Sequence, residues 1–159
     1  MSNSTMIDLK ETTVNSVEWG FQSFGEDLDA LPEEAFDRHF GGKARTVADF
    51  VHEVILVNNR ERMIITGQKP FDFPSGWVTA PEDQRTKATV CAAFRKSAGE
   101  FLAAVKSMSH DELVGEVATG RGPSTRLGCC RFVAWHAGYH GGQLNYVQTL
   151  LGDDQWHWS

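Results

Sequence analysis

The sequence predicts an all-α fold, a four-helix bundle with long crossover connections. Three observations carry that expectation. Apolar residues recur at steps of three and four in four separate stretches. No β-rich array and no 20–50-residue repeat is visible. Breaks at Gly41-Gly42, at Pro70 to Pro74 and at Gly120 to Pro123 divide the stretches. At 159 residues the chain is expected to form one domain, residues 1–159, and at that length it buries enough surface for a core of its own.

The first helix is expected from near Ser4 to about Gly25, with Ile7, Val14, Val17, Phe21 and Phe24 on its core face. A short helical turn follows between Glu33 and His39. The second helix opens at Thr46, with Asp49 three residues on as a weak capping box, and ends at Gly67. Val47, Phe50, Val51, Val54 and Ile55 make its first half apolar around most of its girth, so this helix should be well buried. Residues 68–78 form an aromatic loop with Phe71, Phe73 and Trp77, a pocket wall or a plug for one end of the bundle. Thr79-Ala80-Pro81-Glu82 reads as the capping box of the third helix, whose seam runs through Cys91, Phe94, Ala98, Phe101, Val105 and Met108. A turn-rich connection over residues 109–123, with a short strand within 113–119, leads to the fourth helix, near Ser124 to Leu151, stopped by Gly152.

Composition narrows the function. Hydrophobic content is 41% and charged content 23%, ordinary for a globular protein, and no apolar run of membrane-spanning length occurs. The N-terminus lacks the basic and apolar segments of a signal peptide. With a net charge of −6 and no basic block, nucleic acid is not an expected partner. Three cysteines, Cys91, Cys129 and Cys130, make no disulfide framework, which fits a cytoplasmic protein.

The chemistry concentrates in Trp135-His136-Ala137-Gly138-Tyr139-His140-Gly141-Gly142-Gln143. Histidines four residues apart on a helix leave the same face and can converge on one divalent ion. They share a stripe with Cys129, Val133, Gln143 and Val147, so their ring nitrogens need partners, either a metal or hydrogen bonds in the core. His52, on the buried second helix, is the candidate third ligand. Three protein ligands with one open position is the pattern of a catalytic zinc site, although imidazole suits nickel, iron and copper as well. Asp49, one turn before His52, is read first as part of the Thr46 cap and second as an acceptor behind His52. His39, His110 and His157 are expected at the surface or in local packing. Gly138, Gly141 and Gly142 are read as permitting close approach by a helix or a second subunit. Cys129 lies two turns from His136, too far to share its ion.

The HExxH protease motif, paired Glu-x-x-His motifs, the Gly-x-Ser-x-Gly elbow and Gly-rich phosphate loops are all absent. No proton acceptor shares the histidine stripe, because Gln143 does not titrate, Tyr139 lies on another face, and Glu53 points about 100° from His52. That lack favours transfer of a thiol activated by the metal over hydrolysis. A metal-dependent hydrolase and a non-catalytic metal-binding dimer are the alternatives.

With His52, then His136 and His140 followed by Gly142-Gln143-Leu144, and Leu31-Pro32-Glu33-Glu34 before the second helix, the chain resembles the DinB-like superfamily over nearly its whole length. That superfamily includes the YfiT-type metal-dependent hydrolases. The resemblance implies up-down-down-up connectivity, a nickel or zinc ion held by His52, His136 and His140, and a homodimer. It also implies a small-molecule substrate, with low-molecular-weight thiols used by some relatives; it does not imply DNA binding, and the net charge of −6 argues against it.

Overall fold

The computed structural model describes residues 7–159. Helix α1 spans Leu9–Ala30, α2 Val47–Ile65, α3 Lys87–Ser107 and the short α4 His110–Val114. A two-stranded hairpin follows, β1 Glu116–Ala118 with β2 Pro123–Thr125, and α5 spans Arg126–Leu150. The four long helices form the bundle expected from periodicity. No helix among the described residues is long and apolar enough to cross a membrane.

Packing registers establish the connectivity. Thr12, Gly20 and Asp27 of α1 lie level with Leu127, Ala134 and Gln148 of α5, so these helices run parallel. On α2, Asn58 and Arg62 meet Ser97 and Glu100 of α3, again in parallel. Glu18 and Asp29 of α1 pair with Lys106 and Arg95 of α3, which therefore runs opposite to α1. The order is up-down-down-up, with α1 flanked by α5 and α3, and α2 by the same two helices. Sequence neighbours α1 and α2 thus occupy opposite corners, which is why the links between bundle helices are long.

Local chemistry sets the ends. Asp8 caps α1 by accepting from Lys10 N–H at 2.8 Å and Glu11 N–H at 3.1 Å. The helix runs through Gly25 to Ala30, five residues past the expected stop, because Pro32 rather than Gly25 ends the pattern. The expected start near Ser4 lies outside the described residues. Thr46 caps α2 as expected, its hydroxyl accepting from Asp49 N–H. The expected box at Thr79 opens only a 3-10 turn, Glu82–Gln84, and α3 is capped by Thr86. The reason is tertiary: the Asp49 carboxylate accepts from Ala80 N–H at 2.9 Å and from Arg85 at 3.0 Å, holding the chain in a bend. The Asp49 side chain therefore anchors a loop, in addition to its backbone role in the cap.

The core is built from Phe21, Phe24, Phe94 and Phe101 with Leu28, Val51, Val54 and Leu144. Phe21 meets Phe94 and Phe101 edge-on at centroid distances of 6.0 and 6.1 Å. Complete burial of each such ring contributes about 2–3 kcal/mol. The burial of Val47, Ala48, Phe50, Val51, Val54 and Ile55 bears out the expectation for α2 and makes it the rigid side of the site described next.

Candidate metal centre

Glu53 of α2 and His136 and His140 of α5 form one cluster, their ligand atoms all within 4.8 Å of one another. Glu53 Oε1 lies 3.5 Å from His136 Nε2 and 3.8 Å from His140 Nε2. The four-residue spacing puts the two imidazoles on one face of α5, as expected, with ring centroids 4.5 Å apart in an edge-on arrangement. The antiparallel run of α2 beside α5 brings the carboxylate level with both.

His140 is wholly buried, parallel to the Phe50 ring at 5.7 Å. Its Nδ1 lies 2.8 Å from Gln143 Oε1. An amide oxygen only accepts, so Nδ1 carries the proton and Nε2 presents a bare lone pair. That Nε2 is buried with no hydrogen-bond partner, as is Nδ1 of His136. Burial, reinforced by neighbouring His136, pushes the His140 pKa down to about 4. Burial lowers His136 as well, against the pull of Glu53. Burial works to raise the Glu53 pKa, but its pairing with Arg45 outweighs this, and the net shift is downward. At neutral pH the cluster is two neutral imidazoles and one carboxylate, a donor set that suits a divalent ion.

The expected set was His52, His136 and His140, and the structure brings together two of these three with Glu53. His52 stands beside Asp49 and Gln84, its pKa lowered by burial and its Nδ1 buried without a partner. One residue along a helix is about 100° of rotation, enough to turn neighbouring side chains to different surroundings. The signal for Glu53 was present in the sequence. Phe50, Glu53, Val57 and Glu61 fall at steps of three, four and four along one stripe of a buried helix, and three of them line the pocket at the cluster.

That pocket, about 410 Å3 in volume, is lined by Glu53, Glu61, Arg121, Phe73, Trp135 and His136, among others. Of the three loop aromatics, Phe73 lines this pocket, and Phe71 and Trp77 are not among its lining residues. Tyr139, expected on a different face from the histidines, also reaches it. Glu61 is 1% exposed, with Arg60 at 3.3 Å and Arg121 at 2.9 Å. Arg121 arrives from the turn between β1 and β2, where Gly120 and Gly122 take φ of 76° and 113°. No sequence pattern marks either arginine, because long-range packing alone brings them here.

The remaining histidines are local. His39 contacts the Ala44 carbonyl, His110 lies 3.6 Å from Asp111, and His157 pairs with Asp153. Cys129 is buried, and burial with nearby Glu61 pushes its thiol up to about 12, so it is an inert core residue. Of the three glycines beside the histidines, a Cβ at Gly141 would meet Phe24 of α1 at 3.9 Å, whereas Gly138 and Gly142 face open space.

Similar folds are known. YfiT from Bacillus subtilis, described as a probable metal-dependent hydrolase with an unusual four-helix bundle topology, superposes with a TM-score of 0.67 at 14% identity, covering 100% of this chain and 95% of that one. The mycothiol-dependent maleylpyruvate isomerase gives a TM-score of 0.62 at 15% identity, covering 91% of this chain and 63% of that one. The colibactin self-resistance protein ClbS, solved with double-stranded DNA, gives 0.67 at 19% identity, covering 88% of this chain and 95% of that one. At these identities the likeness establishes the fold. No curated protein gives a significant match. The DinB superfamily profile matches residues 18–144, more than half of the sequence, and the chain therefore belongs to the DinB superfamily.

Proposed function

We propose that this protein is a metal-dependent enzyme that transfers a low-molecular-weight thiol to a small electrophile, with Glu53, His136 and His140 as the ligands of a zinc or nickel ion. The observation that carries the reading is the bare, buried Nε2 of His140, aimed with His136 at a carboxylate beside an open pocket. A buried acceptor without a partner is costly, and a cation between these groups would satisfy it. An ion there would supply Lewis acidity and would hold a coordinated thiol as thiolate.

The chain's own residues supply the rest. Gln143 fixes the tautomer and tilt of His140, and Phe50 fixes the plane of its ring. Arg45 keeps Glu53 ionised and oriented. Phe73, Phe132, Trp135 and Tyr139 give the substrate an apolar wall.

His52, the ligand implied by the family resemblance, is the alternative third donor, and single substitutions at positions 52 and 53 decide between them. Hydrolysis by a metal-activated water is the second reading. It is favoured by Glu61, which gives the pocket a carboxylate beyond the ligand set. Two arginines hold its Oε1, which fixes the carboxylate in place, while its Oε2 is buried without a partner among the described residues. The proposed ligand is a small molecule rather than nucleic acid, in keeping with the net charge of −6. We also propose a homodimer, supported by Trp135, Tyr139 and Tyr146 exposed along α5, with sedimentation as its test.

Turnover of a chlorinated aromatic acceptor with a panel of small thiols, with and without added zinc or nickel, tests the activity. Metal-dependent conjugation that disappears in His136→Ala is expected. Absence of turnover with every thiol, together with metal-dependent cleavage of ester or amide probes, would replace transfer by hydrolysis.

A further inference from the structure

We propose that the pocket beside the metal centre recognises the carboxylate of a small acid with an apolar body, and that Arg121 is the residue that grips it. The two arginines at Glu61 are not equivalent. Arg60 is 12% exposed and fully committed: it donates from Nε to the Phe71 carbonyl, from Nη1 to Glu61 and from Nη2 to the Thr119 carbonyl. It locks Glu61 and the hairpin in place. The Arg121 side chain is 57% exposed and makes a single hydrogen bond among the described residues, from Nη2 to Glu61 at 2.9 Å. Its guanidinium also lies over the Phe132 ring at 4.7 Å. One hydrogen bond and one stacking contact fix the plane of the fork and leave most of its five donors unspent. A planar fork held in this way matches a carboxylate with two parallel hydrogen bonds.

Charge and shape point the same way. Glu53 and Glu61 are set against Arg45, Arg60 and Arg121, so the site carries surplus positive charge before any cation is added. Phe73, Phe132, Trp135 and Tyr139 line the same pocket and would enclose an apolar or aromatic body. A volume of about 410 Å3 suits a small molecule. The inference rests on the metal-centre reading only in making the bound acid a substrate; the grip itself needs no ion.

The test therefore uses chelator-treated protein, which prevents a carboxylate from binding a metal instead. Benzoate and its neutral isostere benzamide are titrated by calorimetry against the wild type, Arg121→Gln and Arg121→Lys. Benzoate is expected to bind at least about tenfold more tightly than benzamide, the preference a charge-assisted fork confers. Arg121→Gln should remove that preference and leave benzamide unchanged, with Arg121→Lys in between. A merely structural role for Arg121 would weaken both probes alike. Equal binding of the two probes, failure of benzoate to saturate, or an undiminished preference in Arg121→Gln would overturn the assignment. Zinc affinity is measured separately with a chromophoric chelator. A wild-type protein that prefers benzoate but holds no zinc would overturn the metal reading alone.

Discussion

Replacing Glu53 by Gln and, separately, His52 by Ala distinguishes the cluster in the structure from the ligand set implied by the family resemblance. Glu53 Oε1 faces both imidazoles at 3.5 and 3.8 Å, so Glu53→Gln removes the negative charge of the proposed set at almost no cost in volume. Loss of a partner behind a ligand already weakens metal sites by about 10–100-fold, so loss of a direct anionic ligand should cost at least about a hundredfold. An ion present at a hundred times its dissociation constant stabilises a protein by about 2.7 kcal/mol, and at a hundredfold weaker affinity the same concentration gives only about 0.4 kcal/mol. For a domain of this length 1 kcal/mol is worth roughly 2–4 °C in melting temperature. Zinc should therefore raise the wild-type midpoint by about 5–11 °C and that of Glu53→Gln by about 1–2 °C, while His52→Ala keeps the wild-type increment. Scanning calorimetry with elemental analysis of the same samples reads both quantities. A zinc increment retained in Glu53→Gln and lost in His52→Ala would refute the reasoning and restore His52 as the third ligand.

Other expectations follow from the same contacts. Gln143→Ala removes the acceptor that fixes His140 and should weaken zinc binding by roughly 10–100-fold, measured by chelator competition, with unchanged circular dichroism. Asp49→Asn, which weakens the hold on Ala80 and Arg85, should cost about 1.5–3 kcal/mol at pH 7 in urea unfolding. Burial works to raise the Asp49 pKa, but hydrogen bonds from Ala80 and Thr46 and the charge of Arg85 lower it overall. Its stabilisation is thus present above the unfolded carboxyl pKa of about 3.9 and is lost as pH falls through the lower folded value, so wild type and Asp49→Asn should converge in strong acid. Phe101→Ala empties a fully buried site against Phe21 and should cost about 3–5 kcal/mol by the same measurement; under 1 kcal/mol would mean that the core relaxes around the gap.

The long helices were legible because burial imposes a period on the chain. Val47, Val51 and Val54 on α2, and Phe94, Ala98, Phe101 and Val105 on α3, sit in the core where their spacing put them. The start of α3 was not legible. Thr79 offers the right local chemistry, but Asp49 and Arg85 grip the backbone of Ala80 and turn the chain before Thr86 begins the helix. A local signal lost to contacts more than thirty residues away in sequence. The histidine pair was legible because its spacing is a statement about one helix. The third member of the cluster depends on how α2 is rotated against α5, a tertiary quantity. Glu53 and His52 are neighbours in sequence, and only the Phe50, Val57 and Glu61 stripe distinguishes their faces.

The aromatic loop, ambiguous in the sequence between pocket wall and plug, connects to the centre along two routes. Phe73 lines the pocket directly. Trp77, largely exposed, lies against the Arg45 guanidinium at 4.6 Å, and Arg45 in turn pairs with Glu53. The carboxylate that faces the two imidazoles is thus paired from behind with an arginine that also lies against an indole in a surface loop. Two neutral rings and a carboxylate would otherwise leave the carboxylate free to rotate toward water, since Glu53 is only partly buried. A long flexible side chain loses rotamer entropy when it is ordered, and pairing with an already restrained cation offsets part of that loss. Trp77, Arg45 and Glu53 thus form a chain of contacts from the loop to the cluster, in addition to the loop's place at the pocket through Phe73.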